Sequence, residues 1–209
     1  MDTPEPILSV SFFKMETGRE PVRAWIKSLP REQRKIIGED IKTVQFGWPL
    51  GMPLVRKLDR DLWEVRIRLP DGIARVLFTA GGGGWFFCTA SSRNRRKRRW
   101  LTWHWRKPAC VCYTNAMKKA HIGSDFDDFL QQDGLLVECE AGALRRVVTW
   151  QITQEMKRRR ISRTTLAGRM KAPRTAIDRL FADNDSSVSL QLLERAALAL
   201  GRKLKVELA

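Results

Sequence analysis

Histidine is close to absent from this chain. Its 209 residues hold two, His104 and His121. Both lie beyond residue 100, so the N-terminal domain has no histidine for acid–base chemistry. Cysteine is sparse too: Cys88, Cys110, Cys112 and Cys139 show no CxxC spacing. Cys110, Cys112 and His104 can be drawn as a zinc site, but the spacing is poor and a fourth ligand is missing. Free reduced thiols are therefore expected, with no metal and no other cofactor. No apolar run approaches the roughly 18 residues of a membrane span. The opening MDTPEPILS lacks a basic segment followed by an apolar core, so no signal peptide is read there. A cytoplasmic protein without a membrane partner is the expectation.

Acidic residues are also in deficit. There are 23 Asp and Glu against 39 Lys and Arg, a formal charge of +16. Such an excess favours a polyanionic partner, most often nucleic acid. The competing account is a basic protein with no specific partner. Hydrophobic residues make up 43% of the chain, enough for real cores, so wholesale disorder is excluded.

Three segments follow from the patterning. Residues 1–87 read as a small mixed domain. Apolar residues from 7 to 14 suit a strand. Pro21 suits the first turn of a helix carrying Val22, Trp25, Ile26 and Leu29, which Pro30 ends. A second helix runs from about Arg31 to Gln45, with Ile36, Ile37, Ile41 and Val44 on one face. Gly47, Pro49, Gly51 and Pro53 break it. Residues 63–69, WEVRIRL, alternate apolar and charged, as a half-buried strand does, with Glu64, Arg66 and Arg68 on one face. Pro70-Asp71-Gly72 is a turn, and Ile73 to Thr79, with Arg75, is the partner strand. Four glycines precede Trp85-Phe86-Phe87.

Lys57, Arg66 and Arg75 come from neighbouring strands and are expected to converge on the sheet's open face. Guanidinium groups grip phosphate oxygens through paired donors, so a phosphate-rich ligand fits three cations. From pattern alone, three solvated charges on a wet face remain the better account.

Residues 88–116 have neither strand nor helix period and are expected to be an irregular linker. Arg93, Arg95, Arg96, Lys97, Arg98 and Arg99 crowd beside Trp100, Trp103 and Trp105. Basic clusters interleaved with aromatics can act as an RNA-binding arm, so Arg95, Arg96 and Lys97 join the RNA-contact candidates.

Residues 117–209 read as helical. Ser124 is expected to cap a short helix closed by Gly134, ahead of a long helix from about Glu138 to Arg159. From about 162 to 181, Leu166, Met170, Ile177 and Leu180 have the core spacing of a helix-turn-helix around Lys171-Ala172-Pro173. Its second helix offers Arg174, Thr175, Asp178 and Arg179 to a major groove, with Arg163 and Thr164 from the first. Ser189 is expected to cap a last helix stopped by Gly201. Lys203 to Leu208 alternate like a short strand. A helical bundle with no role at DNA is the competing account.

The run KLDRDLWEVRIRLPDGIARVLFT, with PVRAWIKSLP before it, resembles the HigB branch of RelE-type toxins, also called the phage Gp49-like family. The resemblance covers residues 7–87. It implies an α+β, RelE-like fold: two N-terminal helices packed on an antiparallel sheet. It also implies a metal-free, ribosome-dependent endoribonuclease acting on mRNA. By that resemblance Arg66 and Arg75 are the catalytic, phosphate-stabilising residues and Lys57 is an RNA contact. Arg68, on the same strand face as Arg66, joins the RNA-contact candidates. From about Leu144, the pattern SxxxLAxxM…RxxIxRL…LxxLExAAxALG resembles the HigA/Xre antitoxins. That implies an all-α, DNA-binding homodimer that represses its own promoter, with residues 117 to 134 helping to neutralise the toxin. Two readings follow. One is a toxin restrained by an antitoxin fused to it, and the other is a repressor carrying an inactive toxin remnant.

The toxin family's usual ending, Leu-His-Gly-Phe with a Lys-Lys pair and Lys-Thr-Pro, is missing after Phe87. Read one nucleotide out of frame with suitable synonymous codons, Cys88 to Arg99 becomes LHGFIKKPPKTP. A frameshift ending near Met117 is therefore expected, and codons incompatible with that second frame would rule it out.

Overall fold

Proline placement sets the first two helices. Pro21 stands at the first helical position of α1 (Pro21–Lys27), where its missing N–H costs nothing. Pro30 stands just ahead of α2 (Arg31–Gly47). In α2, Ile37, Ile41 and Val44 recur at helical spacing and are fully buried. The computed structural model describes residues 9–51, 54–60, 62–81, 84–94, 121–182 and 188–204, with backbone alone for 80–94.

Two compact units divide the chain. Pro6–Glu140 forms one, and Ala141–Ala209 belongs to the other. The first holds a six-stranded mixed sheet ordered β2-β3-β4-β5-β1-β6. Its strands are β1 (Ser9–Phe13), β2 (Val55–Asp59), β3 (Leu62–Leu69), β4 (Gly72–Gly81), β5 (Gly84–Asn94) and β6 (Ile122–Asp125). From β2 to β5 they form an antiparallel meander. β1 closes the arrangement, parallel to β5 and antiparallel to β6. Helices on a largely antiparallel sheet, followed by further helices, give the α+β class.

Three expectations need correction here. The irregular stretch was expected to begin at residue 88, yet β5 continues to Asn94, paired with β4 as far as Gly72. A full-length neighbouring strand supplies the backbone partners that the local pattern does not advertise. Residues 95–116, with Arg95, Arg96, Lys97 and His104, lie outside the described residues. The domain boundary was expected at 117, yet residues 121 to 140 are built into the first unit. The short helix α3 (Phe126–Gln132) is capped by Asp125, whose carboxylate accepts from the Asp127 and Asp128 N–H groups. Ser124, the expected cap, instead donates through its hydroxyl to Glu20.

The way residues 121–140 join the sheet is specific. The N–H of Lys14 donates to the His121 carbonyl at 2.9 Å. The Phe12 ring meets Phe126 and Phe129 edge-on, with centroids 5.7 and 5.6 Å apart. Phe126, Phe129, Leu130 and Leu135 are buried. Gly38 of α2 leaves room for Cys139, whose Sγ would lie 2.5 Å from a Cβ at that position. Burial pushes the Cys139 thiol up to about 12, so it stays protonated.

The second unit is helical, built from the remainder of α4 (Leu136–Arg158) with α5 (Arg163–Met170), α6 (Arg174–Leu180) and α7 (Leu190–Ala199). Ile152, Met156, Leu166, Met170, Ile177, Leu180, Leu193 and Leu200 form its core with Ala196. Ser162 caps α5 through the Thr165 N–H, and Ser189 caps α7 through the Leu192 N–H. Lys171 takes a left-handed conformation, φ 48°, and turns the chain from α5 towards α6. Lys203 and Leu204 form no strand, and the rest of the expected terminal strand lies outside the described residues.

Candidate nucleic-acid interface

Strand register decides which cations meet. In β3, Trp63, Val65 and Ile67 share one face, and Glu64, Arg66 and Arg68 share the other. Trp63 pairs with Phe78 across β4, and Trp48, just beyond α2, packs edge-on against both rings. The Trp63 face is therefore the face toward α2.

Lys57 pairs with Trp63 across β2. It lies on that helix-side face, with its Nζ 5.2 Å from the Trp63 ring centroid. Arg66 and Arg75 are cross-strand partners on the opposite face. The expected convergence of three cations thus holds for Arg66 and Arg75 and fails for Lys57. Alternation orders residues within a strand, but only pairing aligns one strand with the next. The residue that register places opposite Glu64 is Arg56, an exposed side chain that sequence reasoning passed over.

Glu64 differs from expectation as well. It was read with Arg66 and Arg68 on the charged face of a half-buried strand, but only 4% of it is exposed. Its carboxylate accepts from Arg66 Nε at 2.6 Å and from Arg75 Nη1 at 3.2 Å. A buried carboxylate needs such partners, because desolvating it alone is costly. The two guanidinium groups remain accessible, with the Arg66 side chain 28% and the Arg75 side chain 42% exposed. Two like charges directly opposite one another repel, and Glu64 between them offsets that repulsion. Arg68 lies further along the same face and is exposed.

In the second unit the sequence placed the polar helix face correctly. Arg174, Thr175, Asp178 and Arg179 are all exposed on α6, while Ile177 and Leu180 point inward. Arg163 and Thr164 are exposed at the start of α5. The Arg163 guanidinium sits 4.7 Å from the Phe181 ring centroid, which fixes its position at the end of α6. Arg195 Nη2 donates to the Met170 carbonyl at 2.6 Å and ties α7 to the end of α5.

Among the described residues no group of His, Cys, Asp and Glu could hold a metal ion. The side chains of Cys88, Cys110, Cys112 and His104 fall outside those residues. No described helix is long and apolar enough to cross a membrane.

Residues 24–97 match the protein family described as phage derived protein Gp49-like (DUF891). The matched span contains Arg56, Lys57, Glu64, Arg66 and Arg75. No curated protein and no solved structure matches the chain.

Proposed function

We propose that this chain joins an mRNA-cleaving, toxin-type domain to a DNA-binding domain that restrains it and represses its own promoter. The observation that carries the reading is the Arg66–Arg75 pair, within a Gp49-like region and accessible around one buried carboxylate. In the proposed reaction the RNA 2′-hydroxyl attacks the adjacent phosphorus, on mRNA held by the ribosome. The bond to the 5′-oxygen of the next nucleotide then breaks, leaving a 2′,3′-cyclic phosphate. The proton lost by the 2′-hydroxyl is made good from solvent at the departing 5′-oxygen. Arg66 and Arg75 stabilise the charge that develops on the phosphate oxygens. Lys57 and Arg68 are proposed contacts to the RNA backbone outside that centre, with Arg95, Arg96 and Lys97 as a further basic arm. The chemistry as proposed uses no metal or other cofactor.

The second domain is proposed to bind operator DNA with Arg174, Thr175, Asp178 and Arg179 in the major groove, and with Arg163 and Thr164 beside them. Leu190 and Leu198 of α7, 59% and 54% exposed, support dimerisation through this domain. Fusion gives the restraining domain a high effective concentration. Residues 121–140 dock at the β1 edge of the sheet, away from β3 and β4.

The second reading keeps the DNA-binding domain and makes the first an inactive remnant. It is favoured by the missing Lys-Lys and Lys-Thr-Pro ending after Phe87. The deciding experiment is mRNA cleavage on translating ribosomes by residues 1–140 beside the full chain, each with and without Arg66→Ala and Arg75→Ala. Cleavage by 1–140 that needs both arginines and falls in the full chain supports restraint. No cleavage from a folded 1–140 leaves the repressor reading. DNA binding is tested separately, by retardation of the gene's own promoter fragment with wild type and with Arg174→Ala/Arg179→Ala.

A further inference from the structure

We propose that Glu64 is a positioning residue, a buried carboxylate that presents the guanidinium groups of Arg66 and Arg75 to a single phosphodiester. The inference rests on the RNA-binding reading above and assigns the site a part it otherwise lacks. Glu64 is fixed on three counts. It is almost wholly buried, it faces buried Leu77 across β4, and it accepts a hydrogen bond from each arginine. Each bond uses one N–H of a five-donor group. For Arg66 the donor is Nε, so its Nη fork lies outside the Glu64 contact. For Arg75 it is Nη1, so Nη2 and Nε lie outside it. Both groups therefore keep donors for an anion while anchored from below. An arginine anchored in this way loses less conformational freedom on binding phosphate than one free in solvent.

A purely structural carboxylate predicts a different outcome, which makes the inference testable. Glu64→Gln raises the net charge by one. Were Glu64 only neutralising two arginines, the freed pair would attract RNA as well as before or better. If Glu64 aligns them, binding weakens although the charge has risen.

The test uses the full chain and an RNA oligonucleotide carrying 2′-O-methyl groups, which cannot supply the attacking hydroxyl. Affinity is measured at fixed salt for wild type, Glu64→Gln and Arg66→Gln. The expected result is that both variants bind about tenfold more weakly, the scale of one charge-assisted hydrogen bond. Loss in Arg66→Gln with equal or tighter binding by Glu64→Gln overturns the positioning role alone. No loss in Arg66→Gln overturns the RNA site itself, and this inference with it. A second measurement, on wild type, stands even where Glu64→Gln fails to fold. The Arg66 Nε–H resonance is followed by NMR as the oligonucleotide is added. It stays hydrogen-bonded if Glu64 positions the pair, and loss of that bond on binding makes Glu64 a competitor of RNA and sinks the proposal.

Discussion

Lys42 of α2 is fully buried, and its Nζ lies 3.0 Å from the carboxylate of Glu140 at the start of α4. A second carboxylate, on Asp127, lies 2.9 Å away, and Phe46 offers its ring face at 5.0 Å. The carboxylate contacts are close charge pairs whose angles fall short of hydrogen-bond geometry. A buried ammonium is tolerated only with such partners. Asp127→Asn with Glu140→Gln strands the cation, and a loss of about 3–5 kcal/mol is expected. Lys42→Met removes the charge, keeps an apolar stem and should cost less. Urea unfolding of the full chain ranks the two. The reverse order would mean that leaving the Asp127 and Glu140 carboxylates without the ammonium costs more than leaving the ammonium without them.

Gly38 lies in the same contact, close against Cys139 and Leu130. Glycine to alanine inside a helix ordinarily stabilises by up to about 1 kcal/mol. Here the new methyl would meet Cys139 Sγ at 2.5 Å and Leu130 Cδ2 at 3.1 Å. The sign should therefore reverse, with Gly38→Ala costing about 1–3 kcal/mol through overpacking. Cys139→Ala in the same chain should recover part of the loss. A thermal-unfolding double-mutant cycle reads this out, and additive losses would place the clash elsewhere.

Truncation separates the folding boundary from the one expected in sequence. A chain ending at residue 116 lacks Phe126 and Phe129 against Phe12. It also lacks Glu138, which pairs with Lys35 at 2.8 Å. That fragment is expected to aggregate or unfold without a cooperative transition, whereas one ending at residue 140 should melt cooperatively. Near-UV circular dichroism and a melting curve distinguish them. A well-folded 1–116 would make residues 121–140 an accessory rather than a part of the domain.

Glu155 gives the second unit a pH signature. Hydrogen bonds from Arg158, Arg159 and Arg202 hold its carboxyl down at about 2, against an ordinary 4.5. A carboxyl depressed on folding favours the ionised folded state. Its stabilisation is fully present above pH 4.5 and is lost as pH falls through 2. The difference in melting temperature between wild type and Glu155→Gln should be widest near neutral pH and close towards pH 2. A difference that does not change with pH would mean that the Arg202 tether from the end of α7 does not depend on the charge.

Residues with local causes were legible in the sequence. Pro21 sets a helix start and Pro30 a helix end, and Ser189 caps because a side-chain oxygen needs only the next turn's N–H groups. The polar face of α6 follows from helical spacing alone, and period two put Glu64 and Arg66 on one face of β3. The tertiary structure decided whatever depends on a distant partner. Pairing with β2 moved Lys57 to the helix side and brought Arg56 opposite Glu64. Arg66 and Arg75 turned an expected surface charge into a buried anchor. β4 supplied backbone partners that carried β5 through to Asn94. Residues 121–140 carry apolar side chains that any helix could carry, and distant partners such as Phe12, Gly38 and Lys42 determine where they dock. Local hydrogen bonding and periodicity are written within a few residues of chain, whereas register, burial and charge compensation depend on which segments the fold brings together.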